Sequence, residues 1–248
     1  MRIAIAQPTY LPWLGYLDLI DQVDAFVLLD HVQFEKQSWQ HRNRIKTPTG
    51  LQWLTVPVIF RGRFGQSICE VEIRDCEFRR KHLRSIDVNY RRAPFFGDYF
   101  EELSERLRCP QGAHLVDLNV QLIEWFMRRL EIQTPLFFSS QLNVAGTRTQ
   151  LLANICSSLG ATTYVSPIGS AAYLLREIKL LTIGSIEVRF HHYQHPEYRQ
   201  MFPPFIPYAS ILDLLFNEGG RALDVIRSGR RECLLPEQVE SGVFASTL

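Results

Sequence analysis

The first thirty residues constrain the fold most. Residues 2–6 (R-I-A-I-A) and 25–29 (A-F-V-L-L) are apolar runs without alternation, and between them Leu14, Leu17 and Ile20 recur at helical spacing. A sheet with one face in water alternates apolar and polar residues, whereas strands that do not alternate are covered on both faces. A helical crossover between two such runs predicts a parallel β-loop-α-β unit, and with it an α/β fold: a mostly parallel sheet with flanking helices. The alternation of strand and helix returns late in the chain. Residues 162–169 (T-T-Y-V-S-P-I-G) and 185–193 (S-I-E-V-R-F-H-H-Y) read as strands, and Ser210 is placed to cap a helix that ends at Gly219-Gly220.

The middle differs. Residues 30–50 are polar and aromatic and read as a connector. Residues 51–58 (L-Q-W-L-T-V-P-V) read as a strand that Pro57 places near an edge, and 69–74 (C-E-V-E-I-R) alternate as a half-exposed strand would. From Phe78 the pattern is helical: a basic helix to about Tyr90, an amphipathic one through Y-F-E-E-L-S-E-R-L, and a third over 115–130 whose apolar face carries Leu118, Leu122, Trp125 and Phe126. Thr147 with Gln150 three residues on matches a capping box, and Gly160 sits where the same helix should stop. The expected organisation is one α/β domain over 1–248, with a helical subdomain at about 78–132.

Composition excludes several classes. With 46% apolar and 21% charged residues the chain is neither disordered nor fibrous. Lys+Arg 27 against Asp+Glu 26 gives +1, so no global field draws it to nucleic acid or an anionic bilayer. No apolar run approaches a membrane span, and the N-terminus enters a strand broken by Pro8 without the residue order of a signal peptide. Five scattered cysteines (Cys69, Cys76, Cys109, Cys156, Cys233) form no C-x-x-C pair, which reads as a reduced, cytoplasmic protein; Cys156 falls in a helix's apolar stripe.

Five segments carry chemistry. The loop from Gln7 to Gly15 follows the first strand, where open α/β sheets place anions, but it is neither a dinucleotide fingerprint nor a P-loop. Its strand, Pro-containing turn and Gly-aromatic-Leu helix start are similar to the nucleotidyltransferase-like (HUP, Rossmann-like) fold, whose turn carries histidines against phosphate; here Tyr16 follows Gly15 and those histidines are absent. Residues 30–45 (D-H-V-Q-F-E-K-Q-S-W-Q-H-R-N-R-I) are the densest in function: Lys36, His41, Arg42 and Arg44 suit phosphate or carboxylate, Asn43 can read a polar edge, and Asp30 with His31 or His41 can form an acid-base pair. Residues 79–92 set six Lys/Arg against the single acid Asp87, a basic face whose natural counterpart is the following E-E-L-S-E stretch. Ser166, Gly169 and Ser170 end a late strand, without the G-x-S-x-G spacing of a nucleophile elbow. His191, His192 and His195, near Glu197, Tyr198 and Arg199, read as a polar pocket wall; neighbouring histidines on a strand point oppositely, so no metal is assigned.

Taken in order, Q-P-T-Y-L-P-W-L-G-Y, V-L-L-D-H-V-Q-F-E-K-Q-S-W-Q-H-R-N-R-I, Y-V-S-P-I-G and F-x-P-F-x-P-Y-x-S-I-L-D-L-L-F-N-E-G resemble the WbqC-like family over nearly the whole chain. The matched positions are Gln7, Pro8, Tyr10, Gly15, Tyr16, Asp30, Gln33, Trp39, Asn43, Arg44, Gly169, Ser210 and Asp213. A Tyr commonly follows the equivalent of Gln33 in that family; Phe34 stands here, so no phenol is required at that point. The resemblance implies a role in building surface polysaccharide, such as O-antigen, or a related metabolite, and supplies no reaction.

The expected function is a transferase that moves an activated acyl or aminoacyl group to an amine, for example of a nucleotide-linked amino sugar. Arg42, Arg44 and Lys36 would hold a phosphate of a small-molecule substrate, and His41 or Asp30 would accept the amine proton. Gln7, Tyr10, Tyr16, Gln33, Trp39, Asn43, Ser166, Gly169 and Tyr198 complete the expected binding set. ATP with magnesium would activate the acyl group, or an acyl thioester would deliver it. The alternatives are a nucleotidyltransferase with Asp30 on magnesium, and a non-catalytic subunit that docks through residues 79–92.

Overall fold

The computed structural model describes residues 1–108 and 112–242, so Cys109 lies outside the described residues. β1 (Arg2–Ala6) leads through a loop to α1 (Leu14–Asp21) and back to β2 (Ala25–Leu28), which pairs parallel to β1 with Ile3 opposite Ala25. The chain then leaves the sheet. β3 (Arg42–Thr47) and β4 (Gly50–Thr55) form an antiparallel hairpin, followed by α2 (Glu77–Tyr90), α3 (Phe96–Arg108) and α4 (Leu115–Arg129). β5 (Leu136–Phe138) returns to the outer side of β2; α5 (Arg148–Ser158) then delivers β6 (Thr163–Ser166) to the free side of β1. Two short helices, α6 (Ala171–Leu174) and α7 (Lys179–Thr182), precede β7 (Glu187–Phe190), and α8 (Ile211–Glu218), α9 (Ala222–Ser228) and α10 (Pro236–Glu240) follow it.

The sheet runs β5-β2-β1-β6-β7 with every pair parallel. The chain winds outward from β1 through β2 to β5, then reverses to β6 and β7. That reversal between β1 and β6 is the point at which doubly wound sheets open a crevice at their strand carboxyl ends. The sheet draws its strands from both halves of the chain rather than from the first half alone.

Burial explains the non-alternating strands. Ala4, Phe26 and Leu28 face a core built with α1, α2, α3, α4 and α8, while Ile3, Ile5, Ala25 and Val27 face a second core with α5, α6 and α7. Apolar residues are needed on both sides. Leu122, Ile123, Trp125 and Phe126 of α4 are wholly buried, each contributing on the order of 2 kcal/mol. The helices of residues 77–129 share this core with β1 and β2. Among the described residues no helix is long and apolar enough to cross a membrane.

Three local expectations change. Residues 30–50 contain β3, so the predicted strand at 51–58 becomes the second arm of a hairpin outside the parallel sheet. Residues 69–74 are no strand: after a short 3-10 turn they make only isolated bridges, Glu72 with His114 and Ile73 with Val58, because each meets a different neighbour. The Thr147 capping box does not form. Arg148 stands at φ 50°, outside ordinary helical geometry, and Gln150 donates instead to Asn154. Gly160 does close that helix, at φ 65°, and the Ser210 hydroxyl accepts from the Leu212 N–H at 3.3 Å as the cap of α8.

Candidate functional site

The β3-β4 hairpin owes its geometry to a tight turn. Pro48 sets the bend, Gly50 takes φ 124°, and the Thr47 hydroxyl donates to the Gly50 carbonyl at 2.9 Å. Two anchors fix it to the parallel sheet. The Asn43 amide donates to the Leu11 carbonyl at 2.7 Å and the Tyr10 carbonyl at 3.3 Å, and the Ser210 N–H donates to the Arg44 carbonyl at 2.8 Å. The hairpin is thereby held between the loop after β1 and the start of α8.

Alternation along β3 puts Arg42, Arg44 and Lys46 on one face, with Trp53 directly opposite Arg44. The Arg42 guanidinium lies 4.3 Å from the centre of the Trp53 ring; that of Arg44 lies 5.3 Å from Trp53 and 5.4 Å from Trp39. The two indoles, 5.4 Å apart and tilted by 37°, remain 46% and 42% exposed at Trp39 and Trp53. Cation-π contact at such an exposed place contributes only about 0.5–1 kcal/mol, too little to account for two arginines ordered side by side. Arg42 spends one donor on the Gln37 carbonyl. Among the described residues the Arg44 guanidinium has no hydrogen-bond or ion-pair partner; its buried Nε, like that of Arg42, is unsatisfied, and burial lowers its pKa. Two adjacent guanidiniums with unused donors form a ready anion site.

Inward along the same face lies a closed network. Lys46 is buried, and its charge reaches Asp213 of α8. The Tyr90 hydroxyl donates to Asp213 Oδ1 at 2.8 Å and accepts from the Lys46 N–H at 2.8 Å. Asp213 Oδ2 accepts from the Tyr198 hydroxyl at 2.8 Å and the Gln200 amide at 2.9 Å. Burial pushes the Asp213 carboxyl upward, against those three hydrogen bonds and the Lys46 charge. Burial and the Asp213 charge raise both Tyr90 and Tyr198 well above the ordinary phenol range. Tyr198 is half-buried and stands at the network's edge.

The remaining expected residues are distributed differently. Asp30, at the carboxyl end of β2, accepts from the Ser139 hydroxyl (2.9 Å), the Ser140 N–H (2.9 Å) and the Ser140 hydroxyl (2.6 Å), and so ties β2 to the end of β5; His31 bonds Ser139 as well. His41 Nδ1 donates to the Val56 carbonyl and Nε2 accepts from the Gln37 N–H, both at 3.1 Å, while burial lowers its pKa. Asp30 and His41 therefore belong to separate networks. Gln7 accepts from Gln40 through its side chain and from Tyr16 through its carbonyl; the Tyr10 hydroxyl bonds buried His82. Gln33 is exposed, Lys36 lies 4.2 Å over the Phe60 ring, Ser166 bonds Ser170, and Gly169 is exposed beside them. Gly15 is dictated by packing: the Trp13 indole lies across it, and a Cβ there would fall 2.2 Å from the ring.

The histidines of 191–195 also separate. His191 is buried against Asp18 at 2.8 Å, whereas His195 stacks on Trp13, donates to the Pro196 carbonyl and accepts from the Tyr208 N–H. Cys156 is buried, its thiol pushed up to about 12 by burial.

The structure thus brings Trp39, Arg42 and Arg44 together, with Asn43 as the clip behind them and Tyr198 in the adjoining network. Sequence reasoning missed Lys46, Trp53, Tyr90 and Gln200, and gave Asp213 no chemical role. A usable signal was present: R-N-R-I-K and L-Q-W-L-T flank T-P-T-G, a strand-turn-strand pattern with the cations at period two.

The WbqC-like protein family matches residues 7–225. The uncharacterized protein Rv1507c of Mycobacterium tuberculosis (strain ATCC 25618 / H37Rv) is 38% identical over 231 residues, covering 93% of this chain and 99% of that protein. No solved structure matches the chain. The match spans the loop after β1, the hairpin, the α2–α4 helices and α8, every element that builds the cation face and the Asp213 network. The chain belongs to the WbqC-like family.

Proposed function

We propose that the protein is a transferase that holds a phosphate of its substrate at Arg42 and Arg44 and passes an activated acyl or aminoacyl group to an amine, such as that of a nucleotide-linked amino sugar, in surface-polysaccharide or related biosynthesis. The observation that carries this reading is the Arg44 guanidinium, without a hydrogen-bond or ion-pair partner among the described residues, over two exposed indoles and beside an acid-base network whose edge is the half-buried Tyr198. A planar fork suits phosphate, and the indole faces suit an aromatic or sugar ring on the same ligand.

In the transfer the amine nitrogen forms a bond to the acyl carbon, the bond from that carbon to its leaving group breaks, and the nitrogen gives up a proton. His41 has both ring nitrogens engaged and Asp30 has both oxygens engaged, which shifts the proton acceptor to Tyr198. Its hydroxyl already donates to Asp213, so a proton taken at the Tyr198 oxygen is matched by one passed to the Asp213 carboxylate. The Lys46 charge and the Tyr90 hydrogen bond favour the charged form of that carboxylate, against the upward push of burial. An adenylate formed from ATP with magnesium, or a thioester, would supply the leaving group. In the nucleotidyl-transfer alternative Asp30 would hold magnesium, and it would first have to release Ser139 and Ser140.

The test is calorimetric titration with ATP and magnesium, an acyl-coenzyme A and a nucleotide-linked amino sugar, repeated with Arg44→Ala and Tyr198→Phe. Arg44→Ala should weaken binding of the productive ligand about tenfold or more. Tyr198→Phe should leave binding intact and abolish amide formation. Equal binding by Arg44→Ala would remove the hairpin from the site.

A further inference from the structure

The basic segment 79–92 is not absorbed by that reading. Of its expected acidic counterpart, Glu102 is engaged elsewhere, pairing with Arg129 and accepting from Trp125, and among the described residues Glu101 and Glu105 form no ion pair with α2. Arg80 and Lys81 pair with Glu77 at exposed positions, and exposed Arg91 pairs with half-buried Asp87.

Between α2 and the C-terminal part of α3 lies a groove of about 620 Å³, within the size range of small-molecule sites. Arg79, Arg80, Arg84 and Arg108 line it, with Leu83 and Phe100 as its apolar wall. Its one lining acid, Asp87, is already matched by Arg91. Arg79 is only 5% exposed; it donates to the Leu107 carbonyl at 2.6 Å, which fixes it to α3, and its buried Nε has no partner. Among the described residues Arg84 and Arg108 form no ion pair. The buried, pre-oriented Arg79 guanidinium with an unused donor is costly unless an anion completes it, and the exposed Arg84 and Arg108 beside it add donors for that anion.

We propose that this groove is a second anion site, separate from the β3-β4 hairpin, which takes the phosphate or diphosphate of a small soluble phosphorylated ligand, with Arg84 and Arg108 gripping the oxygens and Arg79 forming the floor. Leu83 and Phe100 cover an apolar part of the same molecule.

The test is calorimetric titration of inorganic pyrophosphate into the full chain at low ionic strength, with Arg44→Ala and the double variant Arg84→Ala, Arg108→Ala. Both variants change exposed or half-buried side chains and should keep the wild-type melting temperature. Two binding events are expected in the wild type. The double variant should weaken one of them about tenfold or more and leave the other, and Arg44→Ala should do the converse. A single event lost only in Arg44→Ala overturns the second site while sparing the hairpin. A single event lost only in the double variant supports the groove and counts against the hairpin. No pyrophosphate binding, or binding only to vesicles carrying a phosphorylated lipid headgroup, overturns the proposal.

Discussion

Asp30 and Arg44 lie fourteen residues apart in one polar segment, and the fold treats them oppositely. Asp30 accepts three hydrogen bonds from Ser139 and Ser140 and becomes a brace between two strand ends. Arg44 reaches over two indoles and, among the described residues, finds no acceptor. Both are charged and both follow strand β2. Polar density in a sequence therefore does not separate bracing from binding; whether the donors and acceptors are used up does. The Asp213 network sits between these extremes, buried at Tyr90 and half-buried at Tyr198 and Gln200.

The comparison breaks first at its most closed point. Asp213→Ala would leave the buried Tyr90 hydroxyl and the Tyr198 hydroxyl without their acceptor, remove one acceptor of Gln200 and take away the negative charge nearest buried Lys46, and should cost about 2–4 kcal/mol, read from the urea midpoint. A loss under about 1 kcal/mol would mean that the network is not held together by this carboxylate.

A second closed contact sets a pH dependence. Buried His82 is bonded to Tyr10, and burial lowers its pKa from 6.5 to about 4. Between those values the unfolded chain binds a proton that the folded chain refuses. Its contribution is complete above pH 6.5 and is lost as pH falls toward 4, on the order of 3 kcal/mol in all. His41 and His195, also lowered by burial, act in the same direction. Denaturation at half-unit pH steps should show the decline, with a shallower slope in His82→Gln; identical slopes would acquit His82.

Smaller effects sharpen the contrast. Asp30→Ala should cost about 1–3 kcal/mol by orphaning two serines and leave pyrophosphate binding unchanged; loss of binding at unchanged stability would make Asp30 a ligand group after all. Arg44→Ala should change stability by less than about 0.5 kcal/mol while weakening anion binding. A large fall in its melting temperature would make Arg44 a brace like Asp30.

The parallel unit was legible because Ile3, Ile5, Val27 and Leu28 need cover on both faces, a demand that short-range pattern expresses directly. The helices of 77–129 were legible through their apolar stripes, and the Ser210 cap through its side-chain chemistry. β3 was hidden because two arginines and a buried lysine occupy its alternating face, so the usual apolar signal was absent. Thr147 misled because a capping motif records side-chain types, whereas the cap depends on the backbone that Arg148 turns away.

By itself the sequence determined the α/β class, the first strand pair and the concentration of charge in residues 30–45, since these follow from local periodicity and composition. Only the tertiary structure decided which charges were spent. Asp30 met serines 109 and 110 residues away, Asp213 met a tyrosine 123 residues away, and Arg44 met two indoles and, among the described residues, no acid. The satisfaction of a polar group depends on the neighbours that long-range packing delivers, and no spacing within a single segment records them.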